Sequence, residues 1–139
     1  MRMKFIKILC FILLATSFSL MYSQNTSKDA AIEFKYLKYD YDTITQNSNG
    51  ECIFIYKNIG NAPLVISKVS SSCGCTIPKY NKKPTMPNDT DTIKVKYNTS
   101  QLGSFRKTIV VKSNAINEAT VVLTIKGVVV KNKKATSKN

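Results

Sequence analysis

Residues 63–80, PLVISKVSSSCGCTIPKY, are the stretch from which the fold of this chain can be worked out. Strand-forming residues at 64–69 lead into three serines at 70–72, and a Cys-Gly-Cys triplet follows at 73–75. Apolar and β-branched residues bounded by proline, serine and glycine are typical of a short strand that ends at a turn. The stretch therefore predicts a β-strand that leads into a corner carrying two cysteines.

Further β-strands are predicted on both sides of this stretch, and no segment has the periodicity of a helix. Both faces of segment 52–57 are apolar, which indicates a central strand, and Gly127 fits a bulge or a close contact in the last strand. The predicted strands are 32–37, 39–44, 52–57, 64–69, 93–97, 105–112 and 121–129. This pattern predicts an all-β fold, an immunoglobulin-like antiparallel β-sandwich of about seven strands over residues 31–130, with a small barrel as the alternative.

The first 23 residues have the layout of a secretory signal peptide. Three basic residues precede an apolar run at 8–20, and small residues stand before the expected cut after Ser23, with Ser19 as the alternative. The run is shorter than the roughly 20 residues that span a bilayer. We therefore expect a secreted or periplasmic protein without a transmembrane segment after cleavage. The segments on either side of the domain, 24–30 and the basic tail 131–139, are predicted to be flexible.

The mature chain is basic, because removal of the leader leaves 18 basic and 8 acidic residues, a net charge of +10. Most of this charge is carried by single lysines along the strands and in the tail, which is typical of solvated faces. Arg106 is the one arginine left to make bidentate contacts with phosphate or guanine. No nucleic-acid partner is therefore expected.

The composition gives no support to an enzyme. The chain contains no histidine, which excludes Ser-His-Asp triads, Cys-His pairs and histidine metal sites. Acidic residues are few and scattered, and no glycine-rich phosphate loop is present. We therefore predict no catalytic, cofactor-binding or metal-binding residues, and no cofactor.

Three interpretations of Cys73 and Cys75 stay open from the sequence. The thiols form a structural corner, or they form a redox-active disulfide, or their thiolates hold a soft ion such as Cu(I). In a plain extended strand their Cβ atoms lie about 7 Å apart, whereas a disulfide needs roughly 3.8 Å. A bond therefore requires a kink, which Gly74 permits, and so short a ring is strained and easily reduced.

Cys52 is predicted to be a buried thiol on the core face of its strand. If strands 52–57 and 64–69 form a hairpin, Cys52 lies opposite Val69, and Cys73 follows four residues later, about 13 Å away. A bridge between Cys52 and Cys73 would then require the serine run to fold back. Because the mature chain has three cysteines, at least one thiol of a monomer is free.

Two triplets, Asp42-Thr43-Ile44 and Asp91-Thr92-Ile93, resemble an O-glycosylation acceptor of some secreted bacterial proteins. Thr43 and Thr92 are the candidate acceptors. The alternative, which stays open, is that each triplet is simply the start of a strand after a turn.

Two runs of the sequence, residues 54–66, FIYKNIGNAPLVI, and residues 72–78, SCGCTIP, match known motifs. They are similar to F-x-F-x-N-T-G-x-x-P-L-V-I and S-C-G-C-T-x-P, the signatures of a bacterial secreted family, DUF1573, which is related to immunoglobulin-like domains of the Hydin and major-sperm-protein type. The resemblance covers residues 39–130. It implies an immunoglobulin-like fold and an extracytoplasmic location, and it carries no established activity.

The chain departs from this family pattern at two positions. Asp42 stands where the family usually has a glycine, so the glycine turn is missing there. Asn88 replaces the usual glycine after Pro87, but asparagine tolerates a positive φ, so that turn can survive.

Two functional hypotheses follow from the sequence. The first is a non-enzymatic, secreted or periplasmic immunoglobulin-like module for protein interaction or envelope assembly, with an exposed sheet edge as the binding element. The alternative is a thiol-redox or Cu(I)-handling protein that uses Cys73 and Cys75. The sequence identifies neither the protein partner nor the oligomeric state.

Overall fold

Eight β-strands make up the regular structure of residues 27–132, the part of the chain that the computed structural model describes. They are β1 (Ile32–Phe34), β2 (Lys38–Thr45), β3 (Glu51–Asn58), β4 (Ile66–Ser71), β5 (Thr76–Tyr80), β6 (Thr90–Tyr97), β7 (Gly103–Ser113) and β8 (Thr120–Val130). The predicted signal peptide, residues 1–23, lies outside the described residues, as does the tail from residue 133. Within residues 27–132, no helix is long and apolar enough to cross a membrane.

The strands form two four-stranded sheets, which confirms the predicted all-β sandwich. The first sheet has the order β1-β3-β6-β5 and is antiparallel throughout, and the second has the order β2-β8-β7-β4. In the second sheet β2 runs parallel to β8, so the prediction of a wholly antiparallel sandwich is wrong at this pair. Only residues 35–37 separate β1 from β2, and the N-terminal run is therefore divided between the two sheets.

The core lies between the two sheets because alternate residues of each strand point inward. The fully or almost fully buried apolar side chains include Phe54, Tyr56, Leu64, Ile93, Val95, Ile109, Val111, Val121, Leu123 and Ile125. A row of rings made by Tyr39, Tyr41, Phe105 and Tyr97 crosses from one sheet to the other, with successive centroids 4.8, 5.7 and 3.8 Å apart. Every buried side-chain nitrogen or oxygen of the described part has a hydrogen-bond partner.

Gly127 makes the close contact that the sequence predicts. A Cβ at this position would lie 2.8 Å from Cβ of Tyr41 and 3.2 Å from the ring of Phe105. These distances are too short for a side chain, so the glycine allows the aromatic row to pack directly on the backbone of β8.

The predicted hairpin between strands 52–57 and 64–69 is wrong. β3 and β4 lie in different sheets, and the residue opposite Cys52 is Val95 of β6, not Val69. A short polar turn is compatible with either a hairpin or a passage between sheets. Here the buried side-chain amide of Asn58 stabilises the turn that leads to the second sheet, because it donates to the carbonyl oxygens of Ala62 and Thr85 at 2.8 and 2.9 Å.

Strand β5 is not among the strands that the sequence predicts, which places only a corner with two cysteines after strand 64–69. The segment pairs with β6 in the register Thr76↔Tyr97 and Pro78↔Val95. β5 lies at the edge of its sheet, where a proline is tolerated. The preceding strand also extends further than predicted, because Ser70 and Ser71 pair with Val110 and Ile109 of β7.

The described part of the predicted flexible segment, residues 27–30, is bonded to the domain. The side chain of Asn61 accepts a hydrogen bond from Asp29 N at 2.7 Å and donates one to Ser27 O at 3.1 Å. Ala30 is buried, and its carbonyl oxygen accepts a hydrogen bond from Ile116 N at 2.9 Å. Residues 27–30 are therefore part of the sandwich, and the polar character of the segment did not reveal this.

Candidate functional site

The Cys-Gly-Cys triplet lies at the corner where β4 passes into β5, and its two cysteines are joined by a disulfide. The Cα atoms of Cys73 and Cys75 are 5.3 Å apart, closer than two strand steps of about 3.3 Å would place them. A tight turn produces this approach, in which Thr76 N donates to Cys73 O at 3.3 Å. The structure therefore joins the two residues that the sequence singled out as a candidate disulfide or redox pair.

Ser71 holds this corner together from the end of β4. Its Oγ lies 2.7 Å from the carbonyl oxygens of both Cys73 and Thr76. One hydroxyl hydrogen can serve either acceptor, so the serine ties the turn to the start of β5. The serine run thus has a structural role that the sequence did not reveal.

Gly74 does not adopt a positive φ at this corner. Gly103 is the glycine with a positive φ in the described part, and a Cβ placed on Gly74 would meet no heavy atom within 4 Å. The glycine instead leaves open space beside the disulfide.

A concavity of about 460 Å³ lies on one side of the corner. It is lined by Asn47, Ser48, Gly74, Cys75, Ile77, Lys96, Tyr97, Asn98 and Thr99. Cys75 is part of this lining and Cys73 is not. The exposed Lys96 is the cationic side chain of the lining.

Hydrogen bonds between neighbouring segments fix the walls of this concavity. Asn98 N donates to Cys75 O at 2.8 Å, which attaches the corner to the end of β6. On the opposite wall, Thr99 Oγ1 donates to Ser48 O at 2.8 Å, and Asn47 adopts a positive φ of 61°. Sequence reasoning missed the concavity because the turn after β2 and the end of β6 are about fifty residues apart in the chain.

Cys73 has a separate polar neighbour on its own side of the corner. Its Sγ lies 3.9 Å from Oγ1 of Thr76, a hydroxyl on a residue that is only 2% exposed. This distance fits a weak hydrogen bond to sulfur, and such a bond strengthens when the sulfur becomes a thiolate.

Cys52 lies buried in the core face of β3 with a free thiol, away from the corner. Strand β6 separates it from β5, and the strand spacings place it on the order of 14 Å from Cys75. Burial raises the pKa of the Cys52 thiol and thereby suppresses the nucleophilic thiolate. Within residues 27–132, no group of three or more histidine, cysteine, aspartate or glutamate side chains could hold a metal ion.

The two candidate glycosylation residues lie apart from the corner. Thr43 is exposed on β2, and Thr92 is half-buried on β6, where its N donates to Oδ1 of Asp91 at 2.7 Å. Their glycosylation stays a prediction.

Two of the four free sheet edges are poorly suited to pairing with another strand. Asn98 N donates to Cys75 O, so the backbone groups of residues 75, 77 and 79 face β6. Because the direction alternates along an antiparallel strand, the backbone groups of residues 76, 78 and 80 face the free edge of β5. Pro78 has no N–H to offer there, and Ser71 already contacts Thr76 O. At the other edge, the side chain of Asn117 bonds both N and O of Ile32 on β1.

The outer face of the first sheet combines exposed isoleucines with lysines, and we call it the Ile-Lys face. Ile77 of β5 is 58% exposed and Ile53 of β3 is 39% exposed. Lysines of β5 and β6 lie beside them in register, with Ile77 opposite Lys96, Lys79 opposite Lys94, and Lys94 opposite Ile53. The sequence shows these lysines as the polar half of an alternating pattern, but the isoleucines become their neighbours only through strand pairing.

Comparison with solved structures places this sandwich among known domains. A protein of unknown function from Porphyromonas gingivalis W83 matches with a TM-score of 0.66 and 10% identity, over 78% of this chain and 51% of that chain. This chain therefore spans about half the length of that protein. The ASH/PapD-like domain 7 of human CEP192 matches with a TM-score of 0.63 and 10% identity, over 82% and 95% of the two chains.

The periplasmic chaperone SfaE matches with a TM-score of 0.51 and 9% identity, over 77% of this chain and 60% of that chain. At such low identities, these similarities establish the fold alone. None of the curated protein sequences is significantly similar to this chain.

A family model described as "Protein of unknown function (DUF1573)" matches residues 32–129, which confirms the resemblance seen in the sequence motifs. The match runs from the start of β1 to the last but one residue of β8, and it contains the whole Cys-Gly-Cys corner. The chain belongs to the DUF1573 family.

Proposed function

We propose that this chain is a non-enzymatic, extracytoplasmic immunoglobulin-like module that binds a protein partner through the Ile-Lys face, in protein interaction or envelope assembly. The signal-peptide pattern of residues 1–23 supports the extracytoplasmic location, and the similarity to a periplasmic chaperone agrees with it. The absence of histidine from the sequence supports a role without histidine-dependent catalysis.

The observation that carries this proposal is the exposure of Ile53 and Ile77 among lysines. Exposed apolar side chains on a protein surface indicate an interaction site, and here lysines of β6 lie between them. The lysines favour a partner with an acidic surface, because opposite charges speed encounter and fix orientation. Binding through this face replaces the sheet-edge mode expected from the sequence, since the edges at β1 and β5 are partly occupied.

Photo-crosslinking in the producing cells tests this function. The full chain would carry benzoylphenylalanine in place of Ile77 or, as a matched control, in place of Val122, which is 50% exposed on the second sheet. We expect a discrete crosslinked protein from position 77, lost when Lys94 and Lys96 are both changed to glutamate. Equal crosslinking from both positions, or none from position 77, would contradict binding through the Ile-Lys face.

The disulfide favours a second candidate function, that of a thiol-redox or Cu(I)-handling protein. The Cys73–Cys75 bond lies at a half-exposed corner beside a concavity, where an external thiol can approach it. After reduction, the two thiolates could also hold Cu(I). Titration of the reduced protein with Cu(I) separates these chemistries, because stoichiometric uptake abolished by Cys73→Ser would support metal handling, and no uptake would leave thiol exchange.

A further inference from the structure

We propose that the Cys73–Cys75 disulfide is a thiol–disulfide exchange site with a fixed polarity. A cysteine thiolate of a partner protein enters the concavity and attacks Sγ of Cys75, and Sγ of Cys73 is the leaving group. This inference rests on the thiol-redox candidate function. The concavity shares Ile77 and Lys96 with the Ile-Lys face, so the tests below use variants at Gly74 and Thr76, which the crosslinking test does not change.

Access to the disulfide is the first observation behind this proposal. Gly74 has no positive φ, and a side chain at this position would enter open space. Neither a positive φ nor contact with a segment beyond Cys73 and Cys75 therefore explains a glycine between the two cysteines. Its effect is to leave the approach to the disulfide uncovered on the side of the concavity, which Gly74 itself lines.

The different surroundings of the two cysteines favour attack at Cys75. Cys75 lines the concavity together with Lys96, whose ammonium group attracts an approaching thiolate, and Cys73 is not part of this lining. Cys73 Sγ instead lies 3.9 Å from the hydroxyl of Thr76. A leaving thiolate on Cys73 can accept a hydrogen bond from that hydroxyl, and a stabilised leaving thiolate departs faster.

The exchange takes place in two displacement steps at sulfur, and atoms and electrons are conserved in each. In the first, the partner thiolate forms a bond to Cys75 Sγ while the Cys73–Cys75 bond breaks, which gives a mixed disulfide and a Cys73 thiolate. In the second, another thiolate of the partner attacks its own disulfide-bound sulfur and releases Cys75. The partner dithiol is oxidised to a disulfide by two electrons, and the Cys73–Cys75 disulfide is reduced to a dithiol. The partner is therefore a protein with two neighbouring reduced cysteines.

Reaction of the oxidised mature chain with reduced glutathione tests the polarity. The mixture would be quenched with acid, alkylated, and fragmented by mass spectrometry, which separates Cys73 from Cys75 because Gly74 lies between them. We expect glutathione on Cys75 at least tenfold more often than on Cys73. An equal distribution would overturn the proposed polarity, while the redox function would stand.

Variants at two positions test the structural basis of the exchange. Gly74→Leu should slow the reaction about tenfold without lowering the melting temperature, and Gly74→Ala, whose Cβ meets nothing, should change it far less. Thr76→Val should slow the reaction and weaken the preference for Cys75, and Thr76→Ser should restore both. Unchanged rates in Gly74→Leu and Thr76→Val would overturn the proposal, and no reaction of the wild-type chain with any thiol would also exclude the redox function. Neither result bears on the crosslinking test of the Ile-Lys face.

Discussion

Among single residues, Asn58 determines how the chain leaves the first sheet. Its side chain is fully buried, donates to the carbonyl oxygens of Ala62 and Thr85, and accepts a hydrogen bond from Gly60 N at 3.0 Å. We expect Asn58→Ala to lower the free energy of unfolding by about 3 kcal/mol, because three hydrogen bonds are lost and buried backbone groups lose their partner. Urea denaturation followed by circular dichroism measures this change.

Asn61 provides the matched control for Asn58. It lies in the same turn and also makes hydrogen bonds through its side chain, but it is exposed and contacts only the start of the described chain. Since water can replace those bonds, Asn61→Ala should cost less than about 1 kcal/mol. Equal losses in the two variants would show that burial of the Asn58 amide is not what stabilises the turn.

Individual residues were predictable where local pattern alone decides their environment. The burial of Cys52 follows from strand alternation, and Asn88 adopts the positive φ of 67° that an asparagine after Pro87 can tolerate. The partners of Asn58 and the neighbours of Cys75 were not predictable, because they come from segments distant in the chain. The family resemblance pointed to the asparagine and the cysteines without giving their contacts.

At the scale of strands, the irregularity in β2 replaces the glycine turn that the sequence lacks. Asp42 has a φ of 50° at the point where the pairing with β8 shifts register. Its N donates to Oδ1 of Asp40 at 2.9 Å, which helps a non-glycine residue adopt this conformation. Asp42 therefore adopts a left-handed backbone conformation that glycine would adopt without a steric cost.

We expect Asp42→Gly to raise the free energy of unfolding by about 0.5–1 kcal/mol, because a left-handed φ costs a side chain roughly 1–2 kcal/mol. The greater freedom of glycine in the unfolded chain offsets part of this gain. Thr43→Gly, the neighbouring substitution at a residue without a positive φ, should lower it by a similar amount. Melting temperatures from differential scanning calorimetry test both, and a decrease in Asp42→Gly would contradict strain at this position.

The sequence predicts those strands that have one solvent-exposed face. It does not predict which strands pair with each other. The alternation in β6, β7 and β8 located these strands correctly, because lysines and apolar residues mark opposite faces. β5 was missed because Pro78 interrupts the alternation over its five residues and the Cys-Gly-Cys triplet comes directly before it. The hairpin error at Asn58 had a different cause, since a short turn does not specify whether the next strand stays in the same sheet.

For the sandwich as a whole, the ionisable groups in its interior are acids held in their neutral form. Burial raises the pKa of Tyr41, and a hydrogen bond with Cys52 raises it further. Burial likewise raises the pKa values of Cys52 and Tyr56. Tyr41 donates its hydroxyl to Gly50 O at 2.7 Å and packs in the aromatic row, so ionisation of this group opposes contacts that join the two sheets.

These pKa shifts predict that the domain loses stability at alkaline pH. Below the ordinary pKa of 9.0 for cysteine and 10.0 for tyrosine, both the folded and unfolded forms are neutral and the full stability is present. Above those values the unfolded chain ionises first, so the free energy of unfolding falls by up to about 1.4 kcal/mol per pH unit for each protected group, until the folded-state pKa is reached. Urea denaturation between pH 7 and 11 measures this slope, with tyrosinate absorbance as a second signal.

Tyr41→Phe keeps the ring but removes one ionisable group. The variant should therefore reduce the pH dependence of the free energy of unfolding by the contribution of about one proton. A stability that stays constant up to pH 11 would show that these side chains ionise as readily in the folded sandwich as in the unfolded chain.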